Sequence, residues 1–306
     1  MDYILRTFGL SKKYKKQFAV NDADMTISRG DIYGFVGENG SGKTTIIRLI
    51  TGLIFPFSGH YELFGVDSTS KKIEQVRHKV GAVVENPSIY LNMSAYDNLK
   101  MQCMLLGVAA DERIANTLEE VGLGELLNNK KHAGGFSLGM RQRLGIAMAL
   151  IGEPEFLILD EPMNGLDPAG IVEVRELILK LNREKNITFL ISSHILGELS
   201  LVATKYGIIS KGHIIKEVTA KQLSEELSKT TDVTAETPEV LYEMFKDLEN
   251  EGRLSRIPDG VRFVGEVNLN DVLSAVIERG VNITSVNCHE SSFEEYYLET
   301  IGDKRV

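Results

Sequence analysis

Gly37-Glu38-Asn39-Gly40-Ser41-Gly42-Lys43-Thr44 lies between an apolar run, Asp31 to Val36, that reads as a strand and a segment, Thr44 to Leu53, of helical character. A glycine-rich turn that leaves a strand, enters a helix and closes on Lys and Thr is a phosphate-binding loop. Its glycines let the backbone fold tightly enough for its N–H groups to point inward at phosphate oxygens. The helix that follows adds the positive end of its dipole. Lys43 is spaced to reach β- and γ-phosphates, and the Thr44 hydroxyl to bind Mg²⁺. Gly37, Asn39, Gly40, Ser41, Gly42, Lys43, Thr44 and the adjoining Thr45 are the candidate nucleotide ligands.

Two downstream strands carry matching chemistry. Phe156 to Leu159 is an apolar strand that ends in Asp160 and Glu161. Asp160 stands at the strand end where an α/β sheet places its ligands, and would hold Mg²⁺ through water. Glu161, one residue beyond, suits a general base that polarises an attacking water. A buried strand that ends in acids is commonplace by itself, and the phosphate loop upstream is what gives this one a role. His194 follows the strand Ile187 to Ile191 and Ser192-Ser193. A lone histidine is usually structural or on the surface, but at the end of a strand of the same sheet it is placed as a polar sensor of a γ-phosphate.

The rest of the chain fits an α/β architecture. Tyr3 to Leu10 and Phe18 to Ile27 are β-rich, and Val80 to Val84 is a short strand that ends at Glu85. From Ser94 to about Leu127 the pattern is helical, with Leu99, Cys103, Leu106, Ile114, Leu118 and Val121 on one stripe. A glycine-containing loop, His132 to Phe136, precedes a helix over Leu138 to Ile151; further helices are expected over Ile171 to Arg183 and Ile195 to Val202. Strands alternating with helices imply a mostly parallel sheet. Thr219 to Thr231 reads as a linker or linking helix. After it come a strand near Asp232 to Ala235, a helix over Pro238 to Glu251, and a hairpin from Leu254 to Glu266 that turns at Pro258-Asp259-Gly260. A helix over Leu269 to Arg279, a strand over Asn282 to Cys288 and a last helix over Phe293 to Thr300 complete a small α+β appendix.

Composition narrows the class. With 43% hydrophobic and 25% charged residues the 306-residue chain is an ordinary globular one, and its net charge of -9 argues against a nucleic-acid-binding face. Lys12, Lys13, Lys15 and Lys16 form a short basic run that reads as a solvated turn. Cys103 and Cys288 are far apart and form no Cys-x-x-Cys, which excludes a disulfide framework and fits a reducing cytosol. Cys103 sits in the apolar run Met101 to Leu106 and is expected to be a buried structural thiol. Met1 to Tyr14 lacks a signal-peptide core, and Ile46 to Phe57, broken by Arg48, Thr51, Gly52 and Pro56, is too short to cross a bilayer.

From Tyr3 to about Glu217 the sequence resembles the nucleotide-binding subunit of ABC transporters. Phe136-Ser137-Leu138-Gly139-Met140-Arg141-Gln142-Arg143 is similar to the family's signature motif, and Asn164-Gly165-Leu166-Asp167 to the loop that follows the catalytic glutamate. His194 takes the switch-histidine position and Tyr14 that of the aromatic stacked on adenine. The resemblance implies a P-loop NTPase of ABC ATPase type over residues 1–218. Its parts are a mixed sheet core, an N-terminal antiparallel β subdomain and a helical subdomain at about 87–151. A linker at 219–230 and a small α+β domain at 231–306 follow. It also implies ATP hydrolysis with Mg²⁺ in a head-to-tail homodimer. There each ATP lies between one subunit's phosphate loop and the other's Ser137 and Gly139, with Asp167 nearby. The partner implied is a separate integral-membrane permease, with the chain cytoplasmic and peripheral on the membrane's inner face, and no nucleic acid bound.

Two positions depart from the family pattern. Leu138 and Met140 replace a glycine and a glutamine of the signature. Glu85, followed by Asn86-Pro87, stands where the family carries a glutamine that touches Mg²⁺ or the attacking water and lies where the permease's cytoplasmic helices dock. Glu85 is therefore a candidate for both metal binding and catalysis, with stronger Mg²⁺ dependence or altered coupling expected. Glu85, the Phe136 to Leu144 sequence and the appendix together resemble ATPases of bacitracin-resistance and lantibiotic-immunity exporters, which implies export of antimicrobial peptides. Another cargo, such as a lipid or drug, stays open. A soluble ABC ATPase for DNA repair or translation fits less well, because there is one phosphate loop and the Glu85 to Ser137 segment is short. The appendix either binds a regulatory ligand or, the favoured reading, supports dimerisation or packs on the motor; His289 alone makes no metal site there. Ile89, Tyr90, Leu91 and Met93 fit an apolar seat for a permease helix and core packing equally well.

Overall fold

A computed structural model of the chain describes residues 2–227, 229–265, 267–290 and 292–302. Glu266, the expected end of the hairpin, lies outside these, as do the last four residues of the expected C-terminal domain and the side chain of His289. The chain divides into two units, Met1–Ala220 and Lys221–Val306.

The first unit opens with β1 (Tyr3–Tyr14), β2 (Gln17–Ala23), β3 (Thr26–Ser28) and β4 (Ile32–Val36), then helix α1 (Lys43–Ile50). β5 (Ser58–Leu63), β6 (Val66–Asp67) and α2 (Ile73–Arg77) lead to β7 (Val80–Val83). A five-stranded antiparallel sheet runs β2-β1-β5-β6, with β3 also paired to β1. Ile4, Leu5, Leu10, Val20, Tyr61 and Leu63 of this sheet are buried.

Helices α3 (Ala95–Leu106), α4 (Asp111–Glu120) and α5 (Leu138–Leu150) follow. Leu99, Cys103, Ile114, Leu118 and Val121 of the expected stripe are buried together with Leu144 and Ile146. Leu106 is exposed instead, because it is the last residue of α3, before Gly107 ends the helix in the left-handed conformation. Burial pushes the Cys103 thiol pKa upward, so this residue serves as a small apolar filler.

β8 (Phe156–Asp160), α6 (Pro168–Lys185), β9 (Thr188–Ser193), α7 (Leu196–Ser200), β10 (Lys205–Ser210) and β11 (His213–Thr219) complete the unit. The central sheet is ordered β11-β10-β4-β9-β8-β7, and only β11 runs antiparallel to its neighbour. Every residue of β4, β8 and β9 is buried, as in a parallel sheet covered on both faces. Asp160 pairs in register with Ser192, and Val36 with Ser193. The carboxyl ends of the three strands therefore finish side by side at the phosphate loop.

The second unit contains β12 (Lys229–Ala235), α9 (Pro238–Phe245), β13 (Leu254–Ile257), β14 (Gly260–Val264), α10 (Leu269–Glu278), β15 (Ile283–Glu290) and α11 (Phe293–Gly302), preceded by α8 (Ala220–Glu226). Its antiparallel sheet, ordered β13-β14-β12-β15, and its β-α-β-β-α-β succession make the split β-α-β arrangement. Val233, Leu241, Val261, Phe263 and Val276 form its core.

Strand β7 is held against α5 without clearance. A Cβ at Gly81 would sit 2.4 Å from the Ala149 carbonyl and 2.7 Å from Leu157 Cδ1. Relief requires a backbone shift, which costs about 1–3 kcal/mol. Gly81→Ala should lower the thermal midpoint by roughly 5 °C, read by calorimetry.

Candidate active site

The phosphate loop is shaped by what its glycines permit. A Cβ at Gly37 would lie 2.5 Å from the Ile209 carbonyl and 2.6 Å from Ser41 Oγ. Gly42 has φ 115°, a conformation closed to other residues, and caps α1 with no side-chain bond. Among the described residues, nothing accepts the backbone N–H groups of Lys43, Thr44 or Thr45. The first turn of α1 thus presents a row of unclaimed donors. Ser41 Oγ is buried there with no hydrogen-bond partner. A Cβ at Gly40 would meet nothing within 4 Å, so this side of the loop is open. Lys43 is buried, and its ammonium donates to the carbonyls of Gly37 (2.6 Å) and Glu38 (3.2 Å).

The acidic side faces this loop. Asp160 is 1% exposed. Its Oδ2 accepts from Thr44 Oγ1 at 2.8 Å and its Oδ1 from Ser192 Oγ at 2.5 Å. The Thr44 hydroxyl and the Asp160 carboxylate are hard oxygen donors of the kind Mg²⁺ takes, so the pair fits that ion. Glu161 adopts φ 51°, and its N–H is held by the carbonyl (3.1 Å) and the hydroxyl (3.0 Å) of Ser192. This left-handed turn aims the Glu161 side chain back across the strand ends. Its Oε2 lies 2.7 Å from His194 Nδ1, while Oε1 has no hydrogen bond and stands 3.4 Å from Lys43 Nζ.

Lys43, Thr44, Asp160, Glu161 and His194 therefore form one cluster, and Ser192 binds it together. Ser192 carries no motif of its own; its part follows from the β8–β9 register, which its place two residues before His194 hints at. The other candidates lie elsewhere. Glu85, just after β7, has φ 61°, is 58% exposed, and accepts from Arg48 Nη2 at 2.6 Å. No hydrogen bond or ion pair among the described residues joins it to Thr44, Asp160 or Glu161. Tyr14 ends β1 with its ring exposed and Lys12 Nζ 5.4 Å from it. Ser137 caps α5 by accepting from Met140 N (3.1 Å), and Asp167 caps α6 by accepting from Gly170 N (3.0 Å). Gly139 is close by, since a Cβ on it would come nearest to Gly170 Cα, at 3.9 Å. Ser137 and Leu138 face solvent.

A covered parallel sheet with a phosphate loop after β4 and acids after β8, the next strand but one, defines a P-loop nucleotide hydrolase. Residues 20–164 match the profile described as ABC transporter. The chain is 39% identical to the bacitracin transport ATP-binding protein BcrA of Bacillus licheniformis, over 99% of this chain and 98% of that one. It is 42% identical to the lantibiotic transport ATP-binding protein SrtF of Streptococcus pyogenes, over 73% of this chain and 95% of that one. Among solved structures, cbiO1 from Clostridium perfringens, part of the ABC transporter complex cbiONQ, is similar with TM-score 0.67 at 28% identity, over 82% and 98% of the two chains. The chain belongs to the ATP-binding subunits of ABC transporters, and it is an ATPase.

Ser192→Ala removes one hydrogen bond from the Asp160 carboxylate and one from the Glu161 amide. At about 1.5–3 kcal/mol for a bond to a charged group, the ATPase rate should fall roughly ten-fold or more. Nucleotide affinity, measured with a fluorescent ATP analogue, should change much less.

Proposed function

We propose that this ATPase drives a separate integral-membrane permease that exports an antimicrobial peptide of the bacitracin or lantibiotic type. The cargo rests on the relatives' names and on the near-complete coverage of the bacitracin relative, appendix included. The chemistry rests on one observation: Glu161 Oε1, buried and free of hydrogen bonds, faces the open phosphate loop while its other oxygen is held by His194.

ATP supplies the γ-phosphoryl group that water attacks in line. Thr44 and, through water, Asp160 would hold a Mg²⁺, which would offset negative charge on the phosphates. The chain's own residues do the rest. Lys43 and the N–H groups of Lys43, Thr44 and Thr45 hold the phosphates, with Gly37, Asn39, Gly40, Ser41 and Gly42 shaping the loop. Tyr14 offers an exposed ring to the adenine. Glu161 accepts the proton of the attacking water, and His194 fixes the orientation of its carboxylate and senses the γ-phosphate.

Ser137, Gly139 and Asp167 complete the site from a second copy. They cluster at two adjoining helix starts that face outward, which suits a head-to-tail homodimer with ATP between each loop and the partner's signature. For the permease we assign the cleft of about 470 Å³ beside β7, lined by Pro87, Ser88, Gln102, Leu106 and Met148. Ile89 packs on the core, whereas Tyr90 and Leu91 are exposed at the segment's surface, so the segment serves both purposes. Among the described residues no helix is long and apolar enough to cross a membrane, in keeping with a cytoplasmic subunit attached through its permease. We assign the C-terminal unit a part in supporting dimerisation.

Glu161→Gln should abolish ATP hydrolysis, at least about a hundred-fold, while leaving an ATP-dependent dimer visible by light scattering. A wild type that neither hydrolyses nor dimerises would count against this reading. We propose further that Glu85, ion-paired with Arg48 in this structure, turns to the Mg²⁺ when ATP binds, so Glu85→Gln should alter the Mg²⁺ response of the ATPase. Unchanged turnover, transport and Mg²⁺ response would leave Glu85 outside the site.

A further inference from the structure

Lys12, Lys13, Lys15 and Lys16 flank Tyr14 in the β1–β2 turn; apart from Tyr14, neither this turn nor the loop after α1 has a part in the site, yet the fold brings the two together. In that loop Leu53, Phe55 and Phe57 are 64, 82 and 62% exposed. Large apolar side chains left in water at this density mark a surface made for contact. Phe57 meets Phe18 of β2 edge-on, with ring centroids 5.8 Å apart. Lys13 Nζ sits 4.9 Å from the Phe18 ring and 5.7 Å from that of Phe57, and Lys12 Nζ donates to the Phe55 carbonyl at 2.7 Å. Two lysines thus lock the aromatic loop to the hairpin, while Lys15 and Lys16 stand exposed at its turn.

Charge says what the patch meets. The chain carries -9 overall, yet among the described residues none of these four lysines pairs with a carboxylate. Exposed Phe and Leu ringed by unpaired lysines is the composition of a membrane-interface contact. The rings enter the headgroup–acyl boundary while the ammonium groups lie among lipid phosphates. The patch also faces the appropriate side, since Leu53 lines the same cleft as Arg48 and Glu85, beside the surface assigned to the permease.

We propose that the β1–β2 turn and the 53–57 loop dock on an anionic lipid surface, giving the subunit its own contact with the membrane. Only the facing direction rests on the permease reading; the affinity for lipid does not.

The test is cosedimentation of the full chain, without nucleotide, with vesicles of phosphatidylcholine alone and of phosphatidylcholine mixed with phosphatidylglycerol. Binding should be confined to the anionic vesicles and fall as salt rises. Lys15→Gln with Lys16→Gln should weaken it about thirty-fold, from roughly five-fold per lysine. Phe55→Ser with Phe57→Ser should weaken it at least ten-fold. An unchanged thermal midpoint shows each variant folded. No binding, equal binding to both vesicles, or binding indifferent to both pairs overturns the proposal. So does a wild type that ignores vesicles but loses its permease when these residues change, because the patch would then seat a protein segment. ATPase activity is read separately, so its absence leaves the vesicle result intact.

Discussion

The site depends on the Asp160 carboxylate, buried between the hydroxyls of Thr44 and Ser192. A buried carboxylate without partners costs several kcal/mol, so these two bonds are obligatory. Each partner belongs to a different element. Thr44 fixes the start of α1 and with it the phosphate loop, and Ser192 fixes the end of β9. Ser192 then holds the amide of Glu161 in its left-handed turn, and that turn brings the Glu161 carboxylate between Lys43 and His194. Remove the parallel register of β8 and β9 and none of these distances survives.

What was legible in the sequence was local. The phosphate loop announced itself because glycine, lysine and threonine at fixed spacing between a strand and a helix have few other uses. Asp160, Glu161 and His194 were legible as polar residues that end apolar strands. Strands β5 and β6, short helix α2 and the hairpin of β10 and β11 were not. β5, Ser58-Gly59-His60-Tyr61-Glu62-Leu63, buries only Tyr61 and Leu63, and it owes its state to pairing with β1 some fifty residues earlier in the chain. Ser192's double bond is likewise a product of register. The ion pair of Glu85 with Arg48 joins a strand end to a helix flank 37 residues away, and no periodicity reveals it.

The same distinction separates what one chain completes from what it leaves open. Loop, acids and histidine converge within one copy, because the parallel sheet delivers all of them to one edge. Ser137 and Asp167 face outward, and their side-chain oxygens accept from the backbone at the start of their own helices. In this account a nucleotide sandwiched by two copies joins the halves, which turns a local hydrolysis into a change in how two bodies are held.

The most direct test of that claim mixes two crippled chains. Lys43→Ala removes the phosphate contact, and Gly139→Asp puts a negative charge on the signature at a position where a side chain has room. A mixed dimer would hold one site with both lesions and one with neither. Each variant alone should be inactive, and the mixture should regain ATPase activity, to about a quarter of the wild-type rate for independent sites. A mixture that runs only at the mean of the two separate rates would show that the site is not shared between copies.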